Sequence, residues 1–299
     1  MGKNAGISDG AQLPFIDILI LNIRTEIAFG MFSDGCTSVY CKTDGHSFLA
    51  QNWDVSVCVL TECDQTLMFL QWMEEQKQNL LILDIISDSG PRIKMITEAG
   101  IIGKIGLNEL GVGVCLNAIK VLGCDSSRLP VHLALRSVLE SSSADAAVRQ
   151  LEEVGIAASA HILIADKGKG IGLESTAKTM QCIDMNERNW IFHANHLLLA
   201  HDGVADSGWL ADSPFRQERI QQLSLEYGSS TGRVPEAIDI AHMLDDHDGF
   251  PCSICRFKKG PLGMDATLFS IVMDLQGATA TVYLGRPCQA EEIIELDFK

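Results

Sequence analysis

Basic residues are scarce in this chain: 23 lysines and arginines stand against 39 aspartates and glutamates, giving a formal net charge of −16. Binding to nucleic acid independently of base sequence needs a basic face that neutralises phosphates, so this class of function is excluded. An acidic membrane surface would repel the chain for the same reason. We therefore expect neither nucleic acid nor a membrane among its partners.

Long apolar runs and targeting signals are missing too. The most apolar early stretch, Phe15 to Ile23, is interrupted by Asp17, and no window reaches the roughly 20 apolar residues of a membrane span. No basic segment followed by an apolar stretch opens the chain, as a secretion signal would. The final residues, Asp297-Phe298-Lys299, are not a peroxisomal address of the Ser-Lys-Leu type. We expect a cytoplasmic protein.

The chain has too little cysteine, ten residues in 299, to be a small disulfide scaffold, and we expect most thiols to be small buried hydrophobes. Its 46% hydrophobic and 21% charged residues exclude disorder and permit a large core. No repeat and no long Pro/Gly/Ser linker interrupts it. The sequence therefore predicts a single domain over residues 1–299.

Apolar spacing predicts an α+β architecture. Residues 16–30 carry apolar side chains at helical spacing and end at Gly30, a typical helix stop. Further on, short apolar runs between Asp-Gly and Ser-Gly turns predict strands, and two pairs of amphipathic segments predict helices. The strands are predicted at 37–41, 47–53, 80–86, 92–97, 111–117, 160–165, 171–175, 180–184, 190–194, 266–275 and 278–284, and the paired helices at 129–140, 144–153, 212–227 and 235–245. This order favours helices that cover sheet faces.

The most informative segment is Ser33-Asp34-Gly35-Cys36-Thr37-Ser38, between the first predicted helix and the first strands. A cysteine that enters a strand directly after glycine has its thiol at a sheet edge, and glycine lets another group approach its carbonyl closely. A Gly-Cys pair alone is more typical of a turn followed by a buried thiol.

Further blocks follow in order along the chain. They are Gln51-Asn52-Trp53-Asp54, Ile96–Lys104, His193-Ala194-Asn195-His196, Ser253-Ile254-Cys255-Arg256 and Gly263–Phe269. With Gly35-Cys36, this set resembles the fungal acyl-coenzyme A:6-aminopenicillanic acid acyltransferase (isopenicillin N acyltransferase) family of N-terminal-nucleophile hydrolases. The resemblance runs from about residue 6 to residue 298 and implies a four-layer αββα fold.

The resemblance implies a precursor that cleaves itself. The Cys36 thiol would attack the carbonyl of Gly35, and hydrolysis of the thioester would leave residues 1–35 and 36–299 as two chains. The freed α-amine of Cys36, with an unperturbed pKa of about 7.7–8, would then serve as base for its own thiol. The N-terminal chain is expected to stay bound because both products share one core.

Other site residues take their roles from the same resemblance. Asn195 is expected to donate to the oxyanion, Asp54 to orient the new amine, and Arg256 to favour the thiolate. Ser253 belongs to the same motif as Arg256. Apart from the resemblance, Asp54 and Asn195 are equally typical of turns, and Arg256 of a surface salt bridge.

Metal-binding patterns are weak. His193 and His196 have a ligand-like spacing without a partner motif nearby, and Cys252-x-x-Cys255 lacks the second pair of a zinc ribbon. Asp245-Asp246-His247-Asp248 lacks the spacing of a calcium loop and is predicted to be a solvated turn. We expect no metal and no cofactor, with acyl-coenzyme A as a possible co-substrate. A zinc or thiol-redox module built on Cys252 and Cys255 is the least favoured alternative.

The sequence departs from the family in three places. Val55–Gln71 matches nothing in relatives, and we interpret it as an unspliced intron, since Val-Ser can be encoded by a splice-donor consensus and Gln71 by an acceptor ending. Only 35 residues precede Cys36, whereas relatives usually carry a longer segment before the nucleophile. Some relatives end in a peroxisomal signal, and residues 297–299 do not match one.

Two interpretations of function follow. The first is a self-processing cysteine acyltransferase or amidohydrolase of β-lactam-like secondary metabolism. It would pass an acyl group from an amide or acyl-coenzyme A thioester, its small-molecule donor, through acyl-Cys36 to an amine acceptor or water. The second is a catalytically impaired paralogue, or the product of a wrong gene prediction, that folds without self-cleavage.

Overall fold

The computed structural model describes residues 2–27, 35–57, 77–231, 233–260 and 263–299. Its helices are α1 (Gly2–Ala11), α2 (Phe15–Asn22), α3 (Arg24–Ile27), α4 (Val131–Leu139), α5 (Ala144–Val154), α6 (Ser213–Thr231) and α7 (Ala237–Leu244). Its strands are β1 (Gly35–Lys42), β2 (Ser47–Val57), β3 (Leu80–Ile85), β4 (Ile93–Glu98), β5 (Ile105–Asn108), β6 (Gly113–Ala118), β7 (Ala160–Ala165), β8 (Gly170–Ser175), β9 (Met180–Asp184), β10 (Trp190–His193), β11 (Phe257–Gly260), β12 (Gly263–Asp274), β13 (Thr279–Leu284) and β14 (Glu292–Leu296). Within these ranges no helix combines the length and apolarity needed to cross a membrane.

The strands form two antiparallel sheets. Sheet one has the order β10-β1-β2-β12-β13-β14, with β11 also paired to β12, and sheet two has the order β3-β4-β5-β6-β7-β8-β9. Sheet two is a plain meander, whereas sheet one brings strands from both ends of the chain together. The neighbours of β1 are therefore β2 and β10, far apart in sequence.

Alternation of side chains along the strands builds the layers. On β1 and β2, Tyr40 and Leu49 pack between the sheets, while Val39 and Phe48 pack under α6 and α7. Sheet two packs its other face on α4 and α5. The layers are therefore α6/α7, sheet one, sheet two and α4/α5, which confirms the predicted α+β, four-layer αββα fold. We call the face of sheet one toward α6 and α7 its outer face, and the face toward sheet two its inner face.

The predicted helix at 16–30 is wrong in extent, because the structure has two short helices separated at Ile23. Asn22 explains the break: its amide Nδ2 donates to the Gly100 carbonyl (2.8 Å), and its Oδ1 accepts from the Ile102 N–H (2.8 Å). These partners are distant in sequence, so local periodicity does not reveal them. The predicted stop at Gly30 lies outside the described residues.

The segment interpreted as an intron is only partly described. Val55–Val57 continue β2 and pair with β12, where Val55 lies opposite Ala266. The rest of the segment, to Gln71, lies outside the described residues. The carboxylate of Asp54, directly before the segment, keeps a hydrogen bond from Thr267 Oγ1 (2.7 Å).

Candidate active site

The Gly35–Cys36 peptide opens β1 at one end of sheet one. In the antiparallel register Gly35 lies opposite Asp54, and Cys36 lies opposite Trp53. Because consecutive strand residues point to opposite faces, the Cys36 side chain points to the inner face, and a side chain at position 35 would point to the outer face. The two residues of the predicted cleavage site therefore have separate surroundings.

The Cys36 thiol lies in the apolar layer between the sheets. The residue is 2% exposed and packs in one core cluster with Trp53 and Cys115. Burial raises the pKa of the Cys115 thiol well above its usual value, and the neighbouring Cys36 adds to this effect. A cation is close to this space, since Lys104 Nζ lies 4.2 Å from the centre of the Trp53 ring.

The backbone of Cys36 is held by two polar side chains. Its N–H donates to Asn195 Oδ1 (2.8 Å), and its carbonyl accepts from Arg216 Nη1 (2.6 Å). Arg216 Nη2 also donates to Asn195 Oδ1 (2.8 Å), so two donors fix the orientation of this amide. Asn195 Nδ2 uses one N–H on the Ala118 carbonyl (3.0 Å). Its second N–H is a hydrogen-bond donor of the kind that stabilises an oxyanion.

A buried carboxylate supports the loop that carries Asn195. Glu174 accepts from the backbone N–H groups of residues 198 and 199 (2.7 and 3.0 Å) and contacts His193 Nε2 (2.8 Å) and His201 Nε2 (3.2 Å). Burial acts to raise the pKa of Glu174, but the His193 hydrogen bond and charge, with the backbone donors, lower it on balance. Glu174 thus joins β8 to His193 and to the loop that follows Asn195.

Three buried charged residues and the partly buried Asp212 lie on the outer face beside Gly35. Arg256 Nη2 pairs with Asp212 Oδ2 (2.9 Å), and its Nη1 lies 3.6 Å from Asp54 Oδ2. Arg216 Nε also reaches Asp212 Oδ2 (3.3 Å). Two carboxylates thus balance two guanidinium groups, which is the condition under which buried charges are tolerated. Burial raises the pKa of Asp54, while the charges of Arg256 and Arg216 act to lower it.

Glycine at position 35 is required by this arrangement. A Cβ built there would overlap Arg256 Nη1 and lie 3.1 Å from Asp54 Oδ2. The two side chains therefore pack directly on the backbone of Gly35. Asp54 and Arg256 lie on the Gly35 side of the predicted scissile peptide, and Asn195 and Arg216 lie on the Cys36 side.

Of the residues predicted from the resemblance, Asp54, Asn195 and Arg256 come together around Gly35 and Cys36. Ser253 has a different contact: it is buried and its Oγ donates to the Cys255 carbonyl (2.6 Å), which supports the turn leading into Arg256.

The sequence analysis missed Arg216 and its partner Asp212. Arg216 lies in the first turn of α6, where a cation opposes the helix dipole. A basic side chain at that position therefore signals a counter-charge elsewhere.

The comparisons with known proteins identify a sequence family and a fold. The sequence model of the family described as acyl-coenzyme A:6-aminopenicillanic acid acyl-transferase matches residues 41–289, a range that begins after Cys36 and contains Asp54, Asn195 and Arg256. The chain is 39% identical to the acyl-coenzyme A:6-aminopenicillanic-acid-acyltransferase 40 kDa form of Emericella nidulans, over 98% of this chain and 77% of the relative.

Two crystal structures of conjugated bile acid hydrolase variants from Clostridium perfringens are similar to this structure. Each has a TM-score of 0.57 at 14% identity and covers 88% of this chain and 92% of its own. At that identity the likeness shows the fold alone.

Proposed function

We propose the function of this chain from one premise: it belongs to the acyl-coenzyme A:6-aminopenicillanic acid acyltransferase family. It is a self-processing cysteine enzyme that moves an acyl group from an amide or an acyl-coenzyme A thioester through acyl-Cys36 to an amine or water. The observation that carries this proposal is the convergence of Asp54, Arg256, Asn195 and Arg216 on the Gly35–Cys36 peptide.

The first step is cleavage of the chain. The Cys36 sulfur bonds to the Gly35 carbonyl carbon, the C–N bond breaks, and the nitrogen leaves as the α-amine with the thiol proton. Water then hydrolyses the thioester, releasing the Gly35 carboxylate and restoring the thiol. Asp54 and Arg256 pack on Gly35 while Asn195 holds the Cys36 N–H, so both sides of the breaking bond are fixed before the reaction.

The second step uses the amine that cleavage creates. Asn195 Oδ1 already accepts from the Cys36 nitrogen, so the new amine keeps a partner that holds it next to its own thiol. The amine takes the thiol proton as the sulfur attacks the substrate carbonyl. Asn195 Nδ2 donates its second N–H to the developing oxyanion. Arg216 Nη1 donates to the Cys36 carbonyl, which places a guanidinium group beside the nucleophilic residue.

The proposed substrates follow from the chemistry of sulfur and from the relatives. Exchange of an acyl group between two sulfur atoms is nearly balanced in energy, so acyl-coenzyme A thioesters suit a cysteine nucleophile. The curated relative is named for an acyl-coenzyme A donor and 6-aminopenicillanic acid, which favours a β-lactam-like amine as acceptor.

The N-terminal chain is proposed to remain as a subunit. Glu26 Oε1 accepts from the Val131 N–H at the start of α4 (2.8 Å), and Asn22 bonds the backbone at Gly100 and Ile102. Arg24 forms an ion pair with Glu98. These contacts join α2 and α3 to sheet two and α4 without using the peptide at position 35.

Trapping of the acyl-enzyme tests the proposal. The processed protein is incubated with acyl-coenzyme A thioesters of increasing chain length, and peptides are sequenced by mass spectrometry. We expect one acyl group on Cys36, release of one free coenzyme A, and loss of the adduct when an amine is added. The matched control is Cys182→Ser, which removes an exposed thiol on β9 and should leave the adduct unchanged. An adduct on other cysteines, or none on processed protein, would contradict the proposal.

A further inference from the structure

Four potential metal ligands meet at a second place in the molecule. The side-chain ligand atoms of Asp245, His247, Cys255 and Cys288 all lie within 4.8 Å of one another. Asp245 caps the end of α7, His247 follows in the turn, Cys255 precedes β11, and Cys288 lies in the 3₁₀ turn Pro287–Gln289. The group is built from two separate segments of the chain and does not include the nucleophile.

The spacing of these atoms is close to that of a tetrahedral site. The two sulfur atoms lie 3.4 Å apart, and His247 Nδ1 lies 3.8 Å from Asp245 Oδ1. With zinc–sulfur bonds of about 2.3 Å and zinc–nitrogen or zinc–oxygen bonds of about 2.0–2.2 Å, tetrahedral geometry separates two sulfurs by about 3.8 Å and a nitrogen–oxygen pair by about 3.4 Å. These two distances lie within about 0.4 Å of the tetrahedral values, and the other pairs of ligand atoms lie within 4.8 Å, so side-chain rotation has to close the site around an ion.

Of the three aspartates in this loop, Asp246 and Asp248 face Arg219, whereas Asp245 faces His247. Arg219 pairs with Asp246 Oδ2 (2.6 Å) and lies 3.6 Å from Asp248. Asp245 Oδ1, by contrast, is buried without a hydrogen-bond partner among the described residues. The Asp245 side chain is 35% exposed, and His247 Nδ1 lies 3.8 Å from this oxygen. A carboxylate oxygen without a hydrogen-bond donor is available as a metal ligand.

The two thiols lie side by side and are shielded from solvent to different degrees. Cys255 is buried, and Cys288 is partly buried. His247 is exposed enough, at 44% of its side chain, to leave a path for an ion from solvent.

We propose that Asp245, His247, Cys255 and Cys288 bind a structural zinc ion. Two sulfur ligands with one imidazole and one carboxylate favour zinc over calcium or magnesium, which prefer oxygen. Four protein ligands close the site, as in structural zinc centres. The proposal departs from the sequence-based expectation of no metal. The sequence drew attention to Cys252 with Cys255, whereas in the structure the partner of Cys255 is Cys288.

The ion would fix the segment that carries Arg256. Asn52 Nδ2 donates to the carbonyls of Leu244 (2.7 Å) and Ile254 (3.1 Å), one at each end of the loop that holds three of the ligands. Cys255 directly precedes Arg256, which packs on Gly35. A zinc ion would join this loop to the 3₁₀ turn and, through Cys255, hold the backbone that leads into Arg256.

Metal analysis of the full chain tests the proposal without any assay of activity. The protein is purified without chelator, loaded with zinc, desalted and analysed by inductively coupled plasma mass spectrometry, and cobalt(II) replaces zinc for spectroscopy. We expect about one zinc per chain and intense thiolate-to-cobalt absorption in the near ultraviolet. His247→Ala and Cys288→Ser should each weaken zinc binding at least about tenfold, whereas Cys182→Ser should bind zinc like the wild type.

Two results would overturn the proposal. One is zinc far below one per chain after loading, with no thiolate-to-cobalt bands. The other is a Cys255–Cys288 disulfide in protein freshly purified under reducing conditions, since a disulfide removes both sulfur ligands. Because His247 is exposed, its variant keeps the test valid if Cys288→Ser does not fold.

Discussion

The two faces of sheet one differ most at Gly35 and Cys36. On the outer face, Asp54, Arg216 and Arg256 are buried and form a charge-balanced network with the partly buried Asp212, and Arg256 packs directly on Gly35. On the inner face, the Cys36 thiol lies among apolar side chains. The comparison teaches that strand alternation lets one peptide bond have a polar environment for its backbone and an apolar one for its nucleophile. The four charged side chains can then cluster on the outer face without entering the apolar layer between the sheets.

The largest expected effect is loss of the charge balance on the outer face. Asp54→Asn keeps the size of the side chain but leaves two buried guanidinium groups with one carboxylate. We expect a loss of about 3–5 kcal/mol in the free energy of unfolding, because an uncompensated buried charge remains. Urea unfolding of Cys36→Ala and of the Cys36→Ala/Asp54→Asn double variant measures this without interference from cleavage. A loss under about 1 kcal/mol would mean that the four charges do not act as one network.

The next effect concerns Asn195, which contacts both the Cys36 N–H and Arg216. Asn195→Ala removes the acceptor of the Cys36 N–H and the proposed oxyanion donor. We expect processing to slow by about 10²–10³-fold, equivalent to about 2.7–4 kcal/mol of barrier. The measurement is the rate at which the two chains appear on intact-mass spectra. The exposed Asn186 provides a control variant, Asn186→Ala, that should process at the wild-type rate. Equal rates for both variants would remove Asn195 from the mechanism.

On the inner face, the cation Lys104 is paired with the titratable carboxylate of Glu98. Lys104 Nζ lies 3.4 Å from Glu98 Oε2, and Arg24 also pairs with this carboxylate. Burial acts to raise the pKa of Glu98, but Lys104 and Arg24 lower it to about 2. A lowered carboxyl pKa stabilises the fold above the unfolded-state value, and this stabilisation is lost as pH falls toward the folded-state value.

Glu98→Gln should therefore cost roughly 3 kcal/mol at pH 7, and this cost should shrink as pH falls from about 4.5 toward 2. Denaturant unfolding of the variant and the wild type across this range is the measurement. A cost that is independent of pH would show that the ion pair does not account for it.

The smallest effect comes from adding one methyl group on the outer face. Gly35→Ala forces Arg256 to move, which we expect to cost roughly 1–3 kcal/mol of stability and to slow processing. The matched control is Gly45→Ala, where an added Cβ meets nothing within 4 Å. If both variants unfold at the same denaturant concentration, the close packing of Arg256 on Gly35 is contradicted.

Much of the fold was predictable from local patterns. The paired helices and the strands on either side of them were found because each has its own apolar face, and the resemblance supplied their arrangement in layers. The helix predicted at 16–30 failed because Asn22 bonds to residues near 100. The short strand β5 and the edge strand β14 carried too little periodicity to be found.

The residues of the candidate site also fall into two groups, those that belong to recognisable sequence motifs and those that do not. Asp54, Asn195 and Arg256 belong to motifs that a single sequence can present, so their meeting around Gly35 could be anticipated. Arg216 belongs to none of those motifs, and only its unfavourable position in the first turn of α6 marked it. The ligands of the proposed zinc site were missed because Cys288 is distant in sequence from the other three, and a spacing rule sees only neighbours.

The most direct test of the account is the intact mass of the purified wild type beside Cys36→Ala. The account predicts two chains in the wild type, residues 1–35 and 36–299, that stay together through gel filtration, and a single uncut chain in the variant. A single chain of 299 residues in both, after prolonged incubation at neutral pH, would contradict self-processing and favour a catalytically impaired paralogue.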